Sequence, residues 1–325
     1  MKILAVDDDI FILELLSIVA SRAGYKDVST AVSGEIALEM LRSADVRYDC
    51  LLFDISMPGM DGLELCALAR AIPQYAKTPI IMLTAMTEKH YVDRAFAAGA
   101  SDYANKPFDI VELSARLRVA KEMEASRRLA DTAMKLHYDQ QKKHVETQSL
   151  PLSFEVQIEG ITSLVEHASL RNYLSQLSLT GAACSQVLAI KVDQISCIHM
   201  RASQEEFLYS LAEVASAISR ALQSHTHLMA HVGNGTFVVV CGNPAFDSAE
   251  NLEAEIQFLL DERDLQFDNG DPLDMNVSVG NPIRPNTSNI YCVRNTFERA
   301  IARAESRAFY KPSERSVLNI RSIIR

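Results

Sequence analysis

Five short apolar runs alternate with amphipathic stretches over the first 120 residues, and this alternation constrains the fold more than any other feature of the sequence. The runs are KILAV, KDVSTA, DCLLFD, PIIMLT and SDYAN. Continuous apolar runs separated by helical stretches are typical of parallel strands whose two faces are covered by helices. We therefore predict a five-stranded parallel sheet wrapped by helices in residues 1–120.

Polar side chains follow the ends of the predicted strands. They are Asp7, Asp8, Asp54, Thr84 and Lys106. Because ligands of such sheets bind at the carboxyl ends of the strands, we expect these side chains to converge. Three neighbouring carboxylates repel one another unless a cation offsets their charge, and oxygen ligands suit Mg²⁺. A lysine and a hydroxyl opposite them can bind phosphoryl oxygens, so the five residues together predict phosphoryl transfer.

Two further acidic residues have a simpler interpretation. Asp9 and Asp61 each stand directly before a predicted helix. Asp is one of the preferred residues at a helix N-cap, where its carboxylate accepts a hydrogen bond from the first turn. We therefore predict that these two residues cap helices and do not bind a ligand.

The strand-end residues and their neighbours resemble the receiver domain of response regulators, the CheY-like phospho-acceptor module of two-component signalling. The segments AVDDD, LLFDISMPGMDG, IMLTA and YANKPFD carry the resemblance. It implies a flavodoxin-like (βα)5 fold in which Asp54 accepts a phosphoryl group from a histidine kinase or a phosphotransfer protein. It also implies that Asp8 and Asp54 ligate Mg²⁺ with the backbone carbonyl of Ser56, while Asp7 acts through a water.

The same resemblance implies a switch on the other side of the acceptor. Lys106 would pair with the phosphate, and Thr84 would move toward it. Tyr103 would change rotamer together with the threonine. The bond between Lys106 and Pro107 would be cis, a form that an X-Pro amide adopts at modest cost.

The segment that joins the two halves of the chain contains neither Gly nor Pro and is rich in helix-forming residues. It predicts one helix of about 36 residues, which would extend roughly 50 Å. An apolar seam begins at Leu113, Leu117 and Ala120 and then drifts to neighbouring stripes. We favour a weak parallel coiled coil in a helical linker at residues 121–152. The alternative is a single helix that is solvated or packs on its own domain.

Residues 153–325 again alternate helices and strands, but with a hairpin at HVGNGTFVVV, residues 231–240. The Gly-Asn-Gly centre supplies the positive-φ positions that a short hairpin turn needs. We predict an α/β domain with a mixed sheet, whose last strand is SVLNIR at residues 316–321.

The order of landmarks in this second half resembles the GGDEF domain of diguanylate cyclases, an α/β nucleotidyl-cyclase-like fold. The matching segments, in the family's order, are EGITSLVEHASLRNYL, LAIKVDQISCIH, HVGNGTFVVV, NVSVG and RAIARAESRAFY. Each match is weak by itself, and the order and spacing of the five carry the resemblance. It implies an output domain controlled by the receiver.

The family's catalytic positions hold other residues in this chain. Lys191 replaces the first metal-binding aspartate, Asp193 remains of the acidic pair, and His199 replaces the asparagine that reads guanine. The GGDEF signature itself reads Gly233, Asn234, Gly235, Thr236 and Phe237. The family's phosphate-binding lysine falls near Pro312. Because a lysine reverses the charge at a metal-binding position, we expect a degenerate output domain without cyclase activity.

Two function classes follow from this pattern. The first is a non-enzymatic response regulator whose output domain acts through an unknown protein partner or through a homodimer formed by the receiver and linker helix. The alternative is a nucleotide-binding effector or an atypical diguanylate cyclase in cyclic di-GMP signalling. A transcription factor is disfavoured, because the acidic C-terminal half lacks a basic helix-turn-helix pattern.

Charge and composition restrict partners and location. The formal net charge of -10 argues against nucleic acid and anionic membranes, so we expect no nucleic-acid partner and no membrane insertion. No apolar run approaches the roughly 20 residues that span a bilayer. The 6 cysteines are scattered and form no CxxC pair, which is typical of buried, reduced thiols. We expect a cytoplasmic protein.

Overall fold

The computed structural model describes residues 1–43, 47–85, 89–141, 151–156, 158, 160–179, 185–242, 248–285 and 290–311 of the chain. The chain divides into two compact units, Met1–Thr147 and Gln148–Arg325. The finer domain boundaries that we place at residues 120 and 152 stay a prediction. No helix in the described ranges is long and apolar enough to cross a membrane.

The first unit alternates strands and helices, as predicted, and all five predicted strands are present. Its elements are β1 (Lys2–Val6), α1 (Ile10–Arg22), β2 (Asp27–Ala31), α2 (Gly34–Ser43), β3 (Cys50–Asp54), α3 (Gly62–Arg70), β4 (Ile80–Thr84), α4 (Lys89–Ala97), β5 (Asp102–Asn105) and α5 (Ile110–Gln141). A short 3₁₀ helix, Pro73–Tyr75, precedes β4.

The five strands form one parallel sheet in the order β2-β1-β3-β4-β5. Every residue of β3 and β4 is buried, which is why these strands are continuous apolar runs in the sequence. One core cluster joins strand residues such as Ile3 and Leu52 to Leu16 of α1 and Leu117 of α5. Because all five strands are parallel, their carboxyl ends lie along the same edge of the sheet.

Helix α5 continues past residue 120 without a break, as predicted, but its first apolar residues do not form a coiled-coil seam. Leu113, Leu117 and Ala120 are buried in the core of the first unit. Periodicity predicted an apolar stripe correctly, and the partner of that stripe is α1 and the sheet. The coiled-coil interpretation is therefore wrong for these three residues. Leu129, where the later seam begins, is exposed, and the rest of that seam lies outside the residues whose side chains are described.

A charge network anchors α5 at the amino-terminal edge of the sheet. Glu124 is buried and lies 3.5 Å from Arg47 and 2.9 Å from Arg128. Arg128 also contacts Asp49 at 2.5 Å, and Asp49 accepts a hydrogen bond from the backbone of Lys2 at 2.7 Å. The helix is thus held at the sheet edge opposite to the strand ends that carry the acidic residues.

The second unit contains a four-stranded sheet and helices. Its elements are α6 (His167–Leu179), β6 (Ser185–Val192), α7 (Ile195–Arg201), α8 (Gln204–Ala221), β7 (His227–His231), β8 (Thr236–Gly242), α9 (Ala249–Asp261), β9 (Val277–Val279) and α10 (Ile290–Tyr310). The predicted hairpin is confirmed as β7 and β8. Helix α7 was not predicted.

The strand order in the second unit is β7-β8-β6-β9, and these strands pair antiparallel. The parallel component of the predicted mixed sheet is one bridge between Leu164 and Met229. Residues of α8 and α9 form the main core with one face of the sheet, while α10 packs along β6 and β9. The predicted last strand at 316–321 and Pro312 lie outside the described residues.

The thiols follow the prediction only in part. Cys50, Cys66 and Cys241 are buried free cysteines, whereas Cys197 on α7 is exposed. Burial raises the pKa of the Cys50 and Cys241 thiols to about 12 and that of Cys66 to about 11. The three buried thiols therefore stay protonated at neutral pH.

Candidate functional site

The ends of four neighbouring strands bring the predicted site residues to one edge of the first sheet. Asp7 follows β1, Asp54 ends β3, Thr84 ends β4 and Lys106 follows β5. The strand register pairs Val6 with Phe53, Asp54 with Leu83 and Thr84 with Asn105, so neighbouring strands end nearly level. The predicted convergence therefore follows from parallel pairing of strands that end at the same level.

The three acidic residues lie close enough to bind one cation. One carboxylate oxygen from each of Asp7, Asp8 and Asp54 lies within 4.8 Å of the others. Asp7 and Asp54 are buried and Asp8 is exposed, so the cluster opens toward solvent on one side. It is the single group of this kind in the described part of the chain. An all-oxygen donor set with an open side suits a hard, partly hydrated divalent cation such as Mg²⁺.

Lys106 bridges the two buried acids. Its Nζ atom lies 2.7 Å from Asp7 Oδ2 and 2.6 Å from Asp54 Oδ1. The Lys106-Pro107 peptide bond is cis, as predicted. The sequence indicated that the lysine faces Asp54, but the contact with Asp7 was not predicted.

The electrostatics of the cluster keep the lysine charged. Burial would lower the pKa of Lys106, but hydrogen bonds and charge interactions with Asp54 and Asp7 outweigh burial, and its pKa is raised. Burial raises the pKa of Asp7, and the hydrogen bond from Lys106 opposes this shift. The site therefore holds one fixed ammonium among three carboxyl groups, a local excess of negative charge that favours an incoming cation.

The local backbone orients Asp54. Its Oδ2 accepts a hydrogen bond from the Ser56 backbone N–H at 3.0 Å. Gly62, at the start of α3, packs so closely that a Cβ atom there would lie 2.0 Å from the Asp54 carbonyl oxygen. Sequence reasoning missed Gly62, although the Asp-Gly pair after the acceptor segment was a signal for such a close approach.

The two predicted switch residues, Thr84 and Tyr103, are buried. The Thr84 carbonyl accepts a hydrogen bond from the Lys106 N–H at 2.7 Å. The ring of Tyr103 packs edge-on against Phe96, with 6.5 Å between centroids, and its hydroxyl has no hydrogen-bond partner among the described residues. Their assigned roles stay predictions, but each lies on a strand whose end contributes to the site.

Asp9 and Asp61 are helix caps. The Asp9 carboxylate accepts from the Phe11 N–H at 2.8 Å at the start of α1. The Asp61 carboxylate accepts from the Glu64 N–H at 2.8 Å at the start of α3. The capping interpretation of both residues is confirmed.

Several of the positions that the sequence resemblance compares with cyclase residues lie at the hairpin turn of the second unit. Gly233, Asn234 and Gly235 all have positive φ angles. Nζ of Lys191 donates to the Asn234 carbonyl and lies 3.3 Å from the Thr236 hydroxyl. Burial lowers the pKa of Lys191. The ammonium of this lysine thus contacts the turn from the neighbouring strand.

The other positions of this set are engaged in packing. Asp193 accepts a hydrogen bond from the Ser278 hydroxyl at 3.1 Å and lies 3.8 Å from Lys311 Nζ. The His199 ring packs against Phe207 at 4.8 Å between centroids. Phe237 is fully buried in the core. Lys191 lies on β6 and Asp193 follows the last residue of that strand, and the two side chains contact different neighbours.

Comparison with known proteins identifies the first unit. Residues 3–118 match the response regulator receiver domain family. The chain is 38% identical over 117 residues to the transcriptional regulatory protein YvrH of Bacillus subtilis, covering 36% of this chain and 47% of that protein. It is 39% identical over 117 residues to the DNA-binding response regulator MtrA of Mycobacterium tuberculosis, covering 36% and 49%. The chain therefore matches about half the length of these relatives.

Among solved structures, the chemotaxis protein CheY4 of Vibrio cholerae is 37% identical and covers 37% of this chain and 97% of that chain, with a TM-score of 0.35. The sequence matches are short relative to the chain: the family match ends at residue 118. The nature of the second unit is thus not established by these relatives.

One expectation is overturned by the comparisons. We expected no nucleic-acid partner, but the relatives include DNA-binding response regulators. The exclusion is therefore wrong. It rested on the net charge of the whole chain, and an overall negative charge does not exclude a local basic surface.

Proposed function

We propose, from the premise that residues 3–118 are a response regulator receiver domain, that Asp54 accepts a phosphoryl group from a histidine kinase or a phosphotransfer protein. We propose further that the second unit is a GGDEF-like output domain that performs no cyclase reaction and acts through protein contacts or dimerisation. The observation that carries the first part is the contact of Lys106 with both Asp54 and Asp7 beside the exposed Asp8.

The geometry supports an in-line displacement at Asp54. An Asp54 oxygen forms the new bond to phosphorus while the bond from phosphorus to the donor imidazole nitrogen breaks, and the imidazole takes up a proton. Bound Mg²⁺, held by Asp8, Asp54 and the Ser56 carbonyl with Asp7 through a water, would supply positive charge opposite the phosphoryl oxygens. Lys106 already contacts the acceptor and can move from the carboxylate to the new phosphoryl oxygens.

The switch follows from the charge that phosphorylation adds. The phosphoryl group of an aspartyl phosphate carries about -1.5 to -2 charge units and three acceptor oxygens if it behaves as on other side chains, while the carboxylate gives up its own charge to the new bond. Lys106 can satisfy those oxygens only by changing its contact with Asp7, and Thr84 only by moving toward them. Both residues belong to strand ends, so their movement acts on α4 and α5.

Helix α5 offers a route out of the receiver. Asp109 caps its first turn by accepting from the Val111 N–H at 2.7 Å, three residues after Lys106. The helix is held again by Glu124 and its arginine partners at the opposite edge of the sheet. It then continues to Gln141. We propose that movement of the Lys106 loop is carried along this helix toward the output domain.

The proposed inactivity of the second unit is supported by the contacts of Lys191. In the family that this unit resembles, a carboxylate at this position binds metal, whereas here an ammonium donates to the turn. A divalent cation next to this half-buried ammonium would be repelled. We therefore expect no metal-dependent nucleotide chemistry at the hairpin.

We predict that isothermal titration of the full chain with GTP or with cyclic di-GMP shows no binding tighter than about 1 mM. No cyclic di-GMP should form from GTP in the presence of Mg²⁺ or Mn²⁺, because the turn lacks carboxylates. An active cyclase assayed in parallel is the positive control. Sustained turnover that is lost in Asp193→Asn would replace this proposal by the alternative, an atypical cyclase or nucleotide-binding effector.

The relatives favour a second candidate function, a phosphorylation-dependent DNA-binding regulator. Binding of the full chain to duplex DNA that weakens steeply with salt would support it, because phosphate contacts release counterions. A pull-down that compares phosphorylated with unphosphorylated protein tests the protein-partner mode. For either mode we propose a cytoplasmic location.

A further inference from the structure

We propose that residues 151–156 form a strap over the Gly233–Gly235 turn, and that this strap makes the turn responsive to the chain segment that enters the second unit. The inference rests on the proposed function only in taking the receiver as the source of the signal. The strap is the first described part of the second unit after the end of α5. In chain order, the strap is thus the first described part of the second unit to which a displacement of α5 could be transmitted.

Two backbone groups of the strap bind the hairpin directly. The Asn234 N–H donates to the Leu152 carbonyl at 2.6 Å. The Val156 N–H donates to Nδ1 of His231 at 3.0 Å. The strap itself is folded back by a hydrogen bond from the Phe154 N–H to the Pro151 carbonyl at 2.9 Å. These bonds attach the strap to the middle of the turn and to the last residue of β7.

The turn is shaped to receive the strap. Gly233 has a φ angle of 83°, and a Cβ atom there would lie 2.4 Å from the Ser153 carbonyl oxygen. Gly270 has nearly the same φ angle, 84°, but a Cβ atom there would meet nothing within 4 Å. The first glycine therefore serves both the backbone conformation and the close approach of the strap, and the second serves the conformation alone.

His231 is a buried anchor for the strap. Its side chain is 3 % exposed, and its ring packs against Phe237 at 5.1 Å between centroids. Burial lowers the pKa of His231 to about 4, so the ring is neutral at pH 7 and Nδ1 can accept the hydrogen bond from Val156. Its Nε2 has no hydrogen-bond partner among the described residues. The strap thus supplies the hydrogen bond that this buried ring makes.

The opposite side of the turn is held by the body of the second unit. Lys191 donates to the Asn234 carbonyl, and a Cβ atom at Gly235 would lie 2.7 Å from Ile195. Beyond the strap, the chain pairs with β7 through hydrogen bonds between Ser163, Val165 and Met229. The turn is therefore held on one side by Lys191 and Ile195 and on the other side by the strap. Of these neighbours, the strap is the one nearest in the chain to the segment that leads to the receiver.

We expect Gly233→Ala to release the strap. Hydrogen–deuterium exchange of the full chain should show exchange rising about tenfold or more in peptides covering 151–156 and 231–236, because the new Cβ displaces Ser153. The matched control Gly270→Ala bears the same positive-φ strain without the clash and should leave both peptides protected. His231→Phe is the second variant; it keeps a ring but removes the acceptor and should raise exchange in 151–156.

The regulatory part is tested by phosphorylation. Exchange in both peptides should change together when the wild-type chain is treated with acetyl phosphate and Mg²⁺, and should stay constant in Asp54→Asn. Unchanged exchange in a chain that is demonstrably phosphorylated would overturn the strap as a relay while leaving the receiver function intact. Protection that persists in both Gly233→Ala and His231→Phe would overturn the strap itself. Failure of Asp54 to become phosphorylated would instead overturn the proposed function.

Discussion

Replacing Asp54 with asparagine is expected to abolish phosphorylation of the chain by acetyl phosphate in the presence of Mg²⁺. The amide is a poor nucleophile and carries no charge for the cation or for Lys106 to bind. The change is nearly isosteric, and the amide oxygen can still accept the Ser56 N–H, so the fold should be preserved. The measurement is the shift of phosphorylated protein on a phosphate-affinity gel over a time course.

Asp61→Asn is the matched control for this experiment. Asp61 stands seven residues from the acceptor and accepts the Glu64 N–H at the start of α3. Asparagine caps a helix about as well as aspartate, so this variant should be phosphorylated like wild type. Labelling of Asp54→Asn at the wild-type rate, or loss of labelling in Asp61→Asn, would show that the acceptor is assigned to the wrong residue.

The first sheet could be predicted because its buried strands consist almost entirely of apolar residues. CLLFD and IIMLT are buried on both faces, so each is an apolar run of strand length that ends in a polar residue. Once the strands are parallel, the positions of Asp7, Asp54 and Thr84 at one edge follow from chain direction alone. The site was therefore predictable as a set of residues.

The contacts within the site were less predictable. Which carboxylate a lysine bridges depends on how far β1 and β5 extend and on the loop after β5, and neither is encoded in a local pattern. The contact of Lys106 with Asp7 at 2.7 Å and the close packing of Gly62 on Asp54 are properties of the assembled fold. The sequence positions therefore predict which residues belong to the cluster, but they do not predict which side chains form ion pairs or close contacts within it.

Helical periodicity failed in a specific way for α5. The stripe of Leu113, Leu117 and Ala120 was identified correctly, but a stripe does not specify its partner. The domain's own α1 and sheet cover it. Helix α7 was missed for another reason: it spans only Ile195–Arg201 and follows Gln194 in a left-handed conformation, so neither its length nor its start signal was typical.

Lys106→Met is expected to lower the free energy of unfolding by about 3 kcal/mol in EDTA, because removing one partner of a buried ion pair leaves uncompensated charge. Asp7 and Asp54 are both buried, and without the ammonium they repel each other. Methionine keeps most of the apolar stem, so the loss reports the charge. The measurement is urea unfolding followed by circular dichroism.

Mg²⁺ should restore much of this stability, since a cation that binds only the folded acidic cluster stabilises it by mass action. Lys77→Met is the control, because Lys77 is an exposed lysine and its removal should change stability little in either buffer.

Asp7→Asn combined with Lys106→Met should be more stable in EDTA than Lys106→Met alone, because one of the two repelling charges is gone. Equal losses in EDTA and in Mg²⁺ would contradict a shared cation site, whereas a rescue confined to Mg²⁺ and to the double variant would tie Lys106 to the acid trio. A second measurement compares the oligomeric state of Lys106→Met before and after phosphorylation, by light scattering. If the variant is phosphorylated and its oligomeric state does not change, Lys106 is needed to transmit the signal and not to accept the phosphoryl group.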